Sequence, residues 1–255
     1  MEIPKPQFTP KNAEKGTNAY WDYHKASNDI VRLTAAFVGN AIAGKQLKTD
    51  SKEDFFNDLD EMINQHQGLN SNKRILTEML LSRITDNLLT YLSDLLRIIL
   101  QEKPAVILSE KGTLDIKRIF DANNLEELKK EIIEERVLQL SYKSVSELAK
   151  YLNGKLGFNI FSNKIEESIV TKTIEARNII VHNRCRINFR YNQRTGFPNS
   201  PVGKILNISF SDVIRMNGYF DELALRIDER AVSKFSLDSV PNNLIQPTPK
   251  SGATD

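Results

Sequence analysis

The chain has 255 residues, with 35 Lys and Arg against 33 Asp and Glu and a single cysteine. This length suits one large domain or a domain with an extension, and the balanced charge excludes a strong overall attraction to nucleic acid, so any such preference needs a local patch. One cysteine excludes an intrachain disulfide and a cysteine-based metal site, which indicates a reducing compartment, hence a cytoplasmic protein without a cofactor.

The N-terminal region is predicted to contain an extended arm followed by two helices. Residues 1–16 hold three prolines and scattered lysines, and no apolar run follows them as it would in a secretory signal. A first helix is predicted over 19–43, ended by Gly44. A second begins at a capping box over 51–54 and is ended by Gly68.

A long third helix is predicted over 72–102, with Pro104 as its stop. Its apolar stripe is wide enough for a central position in the core. The most apolar stretch, 88–100, contains Asp94 and Arg97 and is too short to span a bilayer, so no membrane association is expected.

Shorter helices follow, separated by stop signals. They are predicted over 114–121, over 124–140, over 145–153 with a capping box at Ser144 and Glu147 and a stop at Gly154, and from Asn163 onward. Residues 184–208 are predicted as a loop with room for a short hairpin, 212–232 as the last helix, and 239–255 as a disordered tail.

The fold class predicted from these elements is all-α, with little or no sheet. We divide the chain into an N-terminal arm and helical extension (1–70), a helical domain (71–235) and a disordered tail (236–255).

The most informative segment is 174–183, which places Arg177 and His182 in an otherwise apolar helical stretch. Helical spacing puts Thr171, Glu175, Asn178 and His182 on one polar stripe. A second stripe is expected to pack on the core, and it consists of Ile165, Ile169, Thr173, Ala176 and Ile180.

Arg177 leaves the helix from a largely apolar side, about 140° from His182 around the helix axis. It therefore needs a phosphate, a carboxylate or a partner chain. Asn178 could orient the imidazole or bind a phosphate oxygen. Glu175 is expected either to pair with an arginine across a dimer or to be an exposed helix carboxylate.

A cationic segment follows the motif, and the aromatic residues Phe189 and Tyr191 are interleaved with its arginines. The arginines are Arg184, Arg186, Arg190 and Arg194. Charges that neutralise phosphates and rings that stack on unpaired bases are what a single-stranded RNA surface requires, and we take Arg184, Arg186, Arg190 and Tyr191 as candidate RNA-binding residues. The simpler interpretations are a histidine that complements the helix dipole, a solvated arginine surface, and aromatics that anchor the loop to the core.

The segment from Arg177 to His182, Arg-Asn-Ile-Ile-Val-His, resembles the signature of the HEPN superfamily, in which a polar residue follows an arginine and a histidine comes about a helical turn later. The resemblance covers residues 71–195, including Tyr91 to Leu96 upstream and Tyr191 downstream, with 212–232 as a plausible completion. The chain departs from the family at Cys185, where members often carry glycine.

This resemblance implies a HEPN-like helical bundle that acts as a metal-independent endoribonuclease, a toxin or defence effector, with two motifs meeting in a homodimer. His182 would be general acid or base, Arg177 would stabilise phosphate charge, and Asn178 would position His182 or the scissile phosphate. RNA is the implied substrate, and an antitoxin or a nucleotidyltransferase is the implied protein partner. No carboxylate cluster or His/Cys spacing indicates a metal.

Two other function classes remain open from the sequence. HEPN domains also occur as non-catalytic interaction scaffolds, and the arginine cluster alone would suit an RNA-binding module without cleavage. The sequence argues against a kinase or NTPase, because no glycine loop carries a lysine and a Ser/Thr at nucleotide-binding spacing.

Overall fold

The computed structural model describes residues 13–42, 52–108, 118–119, 122, 124–196 and 201–241. Within them the chain is mainly helical. One small antiparallel sheet is present there, formed by β1 (Lys15–Gly16) and β2 (Val240–Pro241). The all-α prediction is confirmed.

The helices of the described ranges are named here in chain order. They are α1 (Asn18–Ile42), α2 (Lys52–Gln65), α3 (Gln67–Glu102), α4 (Ala105–Leu108), α5 (Leu125–Ser141), α6 (Val145–Leu156), α7 (Lys164–Asn183), α8 (Phe189–Thr195) and α9 (Phe210–Phe235).

Helix α3 is the centre of the molecule, as its wide apolar stripe predicts. It contacts α1, α2, α5, α7 and α9. Its core-facing side chains are fully buried, among them Leu81, Leu88 and Ile99. The helix that carries the motif, α7, therefore packs directly on the central element.

The break between α2 and α3 lies at His66, so the prediction that Gly68 ends the second helix is wrong. The His66 carbonyl accepts from the Asn70 amide at 2.8 Å and so begins the hydrogen-bond ladder of α3. Gly68 then falls in the first turn of α3. Gly44 and the capping box at Ser51 lie outside the described residues.

The predicted N-terminal extension shares the core of the helical domain. Helix α1 lies against α3 and α9. Its buried residues Ala19, Tyr20, Tyr23 and Ile30 belong to the same hydrophobic cluster as those of α3.

The two ends of the described chain meet on α9. The Thr17 amide and hydroxyl donate to the buried Asp228 carboxylate at 2.8 and 2.6 Å. Trp21 Nε1 donates to the Val240 carbonyl at 3.0 Å, and Leu237 is buried. Residues 236–241 of the predicted tail thus pack on the helices, whereas 242–255 lie outside the described residues.

Glycines explain two differences from prediction. The Ser144–Glu147 capping box is confirmed, but α6 runs past Gly154 to Leu156 and ends at Gly157, whose φ of 58° is left-handed. The predicted loop 184–208 contains helix α8, capped by Asn188 and ended by Gly196 at φ 72°. The sequence alone does not distinguish a glycine that ends a helix from one that lies inside a helix or in a loop. Of the predicted helix 114–121, only 118–119 are described, and they are helical.

Candidate functional site

Helix α7 presents the motif at its C-terminal end. Asn163 caps its N-terminus, and its side chain accepts from the Glu166 amide at 2.9 Å. Thr173 and Ala176 are fully buried, as the predicted apolar stripe requires, but Ile165 is 73% exposed. Ile169 and Ile180 are partly buried against the core. The predicted stripe therefore packs on the core except at its first residue.

The helix ends in two consecutive residues in left-handed conformation, Arg184 at φ 52° and Cys185 at φ 60°. The Cys185 amide donates to the Ile179 carbonyl at 2.9 Å, which closes the last turn. Glycine adopts such a conformation freely, whereas a side chain makes it costly. The Cys185 side chain is buried, and burial raises the pKa of its thiol to about 11.

The motif residues line one cleft of about 420 Å³ between α7, α8 and the turn that joins α5 to α6. Arg177, Asn178 and His182 all face it, although a regular helix separates Arg177 from His182 by about 140°. Arg190 and Arg194 from α8 and residues 141–145 complete much of the lining.

Arg177 has a carboxylate partner within its own chain. Its Nη2 lies 2.8 Å from Asp86 Oδ1 on α3, and its Nη1 donates to Asn178 Oδ1 at 3.4 Å. Its Nε is buried and makes no protein hydrogen bond. A carboxylate is one of the three partners that the sequence left open, and the Arg177 side chain remains 23% exposed.

The Asn178 side chain points to Arg177, because its amide oxygen accepts a hydrogen bond from the Arg177 guanidinium. His182, one turn further, is exposed at the mouth of the cleft. The imidazole is therefore accessible to a ligand in the cleft.

Glu175 is not an exposed helix carboxylate, and its ion pair lies within the chain. Its side chain is 4% exposed and lies 2.8 Å from Arg194 Nη1 on α8. This pair ties α8 to α7. Arg194 itself remains 37% exposed, so part of its guanidinium faces the cleft.

The cleft carries more positive than negative charge. Its lining contains four permanent cations, Lys143, Arg177, Arg190 and Arg194, against two carboxylates, Glu147 and Glu175. Asp86 pairs with Arg177 from outside this lining, so the four cations stand against three carboxylates. Glu147 is engaged in the capping box of α6 and Glu175 with Arg194. The lining thus suits an anionic ligand.

The four predicted RNA-binding residues have different environments. Arg190 lines the cleft. Arg184 and Arg186 are exposed but outside the cleft lining, and Arg186 Nη1 donates to the Gly203 carbonyl at 2.8 Å. Tyr191 is only 3% exposed, and burial raises its pKa to about 12, so it anchors α8 and cannot stack on a base as predicted.

An exposed aromatic does stand at the start of α8, because Phe189 is 80% exposed. It follows His182 by seven residues, and Val181, which directly precedes His182, is 50% exposed. Two apolar side chains near His182 in the sequence thus reach solvent.

The described residues contain no group of three or more His, Cys, Asp or Glu side chains arranged to hold a metal ion. None of their helices combines the length and apolarity that a membrane crossing requires.

Comparison with known proteins assigns no family. No protein-family model, curated protein or solved structure matches the chain. The HEPN resemblance therefore rests on the motif residues themselves and remains a prediction.

Sequence reasoning missed Asp86 and the turn residues Tyr142 and Lys143. Asp86 lies on the predicted third helix, and helical periodicity gives no sign that it meets Arg177. The capping box at Ser144 marks the turn but not what it faces. These contacts depend on how α3, α5 and α7 pack.

Proposed function

We propose that the chain is a metal-independent endoribonuclease that cleaves RNA through attack of a ribose 2′-hydroxyl on the adjacent phosphodiester. The observation that carries the proposal is the convergence of Arg177, Asn178 and His182 on one cationic cleft. A phosphodiester is an anion, and its cleavage needs both a proton-transfer group and a cation near the phosphate.

In the proposed reaction the 2′-oxygen forms a bond to phosphorus while the bond to the 5′-oxygen breaks. A base takes the 2′-hydroxyl proton and an acid gives a proton to the 5′-oxygen, leaving a 2′,3′-cyclic phosphate and a 5′-hydroxyl. His182 serves as one of these two groups, since imidazole exchanges protons near neutral pH. Arg177, held by Asp86 and Asn178, stabilises the charge on the phosphate.

A homodimer supplies the second proton-transfer group in this proposal. His24 is bound to Asp221 at 2.8 Å, and neither it nor His66 lines the cleft. A second His182 from a partner subunit would complete the pair. The exposed apolar side chains of Val181 and Phe189, which flank His182 in the sequence, support such a contact.

A toxin or defence effector acting in the cytoplasm is the biological role that we propose for this activity. Uncontrolled RNA cleavage would arrest the host, so an inhibitory antitoxin is the partner that this role requires. A nucleotidyltransferase would be the expected partner if the chain is instead a non-catalytic scaffold.

A second candidate function is an RNA-binding or interaction module that does not cleave. One observation favours it, because Asp86 already neutralises Arg177 within the chain. In that case the cleft would bind phosphates through Arg190, Arg194 and Lys143, and His182 would be dispensable.

RNA cleavage by purified variants in the presence of EDTA separates the two candidates. We expect His182→Ala to lower the cleavage rate about 10²–10⁴-fold and Arg177→Ala about 10²–10³-fold. The matched controls are His66→Ala and Arg83→Ala, which replace an exposed histidine and an exposed arginine outside the cleft. Equal cleavage by wild type and both cleft variants would contradict the proposal.

Expression in a bacterial host gives a complementary test. The wild-type chain should arrest growth and His182→Ala should relieve the arrest. A scaffold would be tolerated equally in both forms.

A further inference from the structure

The cleft that holds the motif adjoins a second cavity. This neighbour has a volume of about 410 Å³, and four residues line both cavities, namely Leu89, Ser141, Lys143 and Val145. We call them the motif lobe and the second lobe. Lys143 is exposed and lies at their junction.

The turn over residues 141–144 forms one edge of both lobes and is held firmly in place. The Tyr142 amide donates to the Leu138 carbonyl at 3.3 Å, and the Lys143 amide donates to the Leu140 carbonyl at 3.1 Å. Ser141 Oγ lies 2.9 Å from Ser93 Oγ on α3. The capping box of α6 fixes the far side of the turn.

Tyr142 is the most exposed large apolar or aromatic side chain among the described residues, at 84%. It lines the motif lobe but contributes nothing to the core. An aromatic ring on a rigid turn beside a cationic cleft is the arrangement on which a nucleobase stacks, because every base has a π face.

The second lobe combines apolar and polar groups, as a base pocket requires. Leu92, Leu140 and Leu148 give it apolar walls, and Thr90, Ser93 and Ser141 bring hydroxyl groups to it. Its lining also contains charged side chains that are held in ion pairs, Asp94 with Arg97 and Asp86 with Arg177. A base needs apolar contacts on its faces and hydrogen-bonding groups at its edges.

We propose that the turn over 141–144 is a subsite for single-stranded RNA. Tyr142 stacks on one unpaired base, Lys143 binds the phosphate at the junction of the lobes, and the second lobe accepts the next base. This subsite rests on the proposed function for its substrate class. It excludes duplex RNA, because paired bases are already stacked and turned inward.

Fluorescence anisotropy with a labelled single-stranded oligonucleotide tests the subsite. The oligonucleotide carries 2′-O-methyl groups, so it cannot be cleaved by the proposed reaction. We expect Tyr142→Ala to weaken binding about 5- to 100-fold, in line with the contribution of one base–aromatic stack, and Tyr142→Phe to bind like wild type. Lys143→Ala should reduce the slope of log affinity against log salt by about 1.

Two exposed residues of α5 that line neither lobe provide matched controls, and their variants Leu138→Ala and Lys130→Ala should bind like wild type. Thermal unfolding checks that every variant is folded. The subsite is refuted if Tyr142→Ala binds as tightly as Leu138→Ala, or if wild type prefers the corresponding duplex.

Failure of the subsite and failure of the proposed function are distinguishable, because binding and cleavage are measured separately. If wild type cleaves RNA while Tyr142→Ala binds like wild type, the subsite alone is wrong. If binding depends on Tyr142 but wild type does not cleave, the subsite stands and the ribonuclease proposal is wrong.

Discussion

At the residue scale, the backbone strain at Cys185 can be measured with two substitutions that both remove the thiol. Cys185→Ala keeps a Cβ atom at positive φ, whereas Cys185→Gly does not. We expect the glycine variant to be more stable than the alanine variant by about 1 kcal/mol. Urea unfolding of both proteins checks this difference, and an alanine variant as stable as the glycine variant would contradict it.

Arg177 and Cys185 also show what the sequence alone can predict about single residues. It predicts that Arg177 needs an anionic partner or a partner chain, because its side of the helix is apolar. It cannot select Asp86, which is far away in the chain and meets Arg177 only through the packing of α3 on α7. At position 185 the resemblance leads us to expect glycine, and the φ of 60° gives the physical reason for that expectation.

At the element scale, apolar periodicity predicts where the long helices lie, whereas the positions of glycines are a poor guide to where helices end. The predicted bounds 19–43 and 212–232 lie within three residues of those of α1 and α9, and the predicted start of α7 is also close. Helix α3 ends where predicted but begins at Gln67, five residues before the predicted start. Gly154 lies inside α6, whereas Gly157 and Gly196 end helices. The local sequence cannot distinguish a glycine inside a helix from a glycine that ends one, because the left-handed conformation depends on the path of the chain that follows.

The contact between the N-terminal strand and α9 offers a prediction at this scale. A Cβ atom on Gly16 would lie 2.7 Å from Tyr20 Cδ1 and 3.3 Å from Asp228 Oδ2. We therefore expect Gly16→Ala to lower the free energy of unfolding by about 1–3 kcal/mol, as overpacking does elsewhere.

The matched control for that change is Gly39→Ala in α1. Gly39 is exposed and has nothing within 4 Å of an added Cβ atom. Alanine there should raise the free energy of unfolding by up to about 1 kcal/mol, because glycine is a poor helix former. A Gly16→Ala variant at least as stable as wild type would contradict the packing described around Gly16.

At the scale of the whole molecule, the candidate site depends on tertiary packing. The motif on α7, the arginines of α8 and the α5–α6 turn come from three parts of the chain and meet in one cleft. The sequence identifies the first two parts as functional and predicts no role for the third. It also predicts that Tyr191 contacts RNA, which its burial rules out.

The proposed homodimer gives a prediction about assembly. Val181→Glu or Phe189→Glu places a charge beside the motif on a side chain that is 50% or 80% exposed, so the subunit should still fold. We expect both variants to be monomeric by light scattering and to lose cleavage at least tenfold, since burying an unpaired charge in an interface is unfavourable.

Ile165→Glu is the matched control, because Ile165 is 73% exposed at the opposite end of α7. It should remain dimeric and active. Active monomers of the Val181 and Phe189 variants would show that one chain completes the site alone.

The most direct measurement of the central claim uses two DNA oligonucleotides that differ only in one sugar. One contains a single ribonucleotide, and the other carries a 2′-O-methyl group at the same position. With EDTA present, the proposed reaction predicts cleavage of the first at that position, with a 2′,3′-cyclic phosphate on the product, and no cleavage of the second. Cleavage of both, or a product with a 5′-phosphate, would contradict attack by the 2′-hydroxyl.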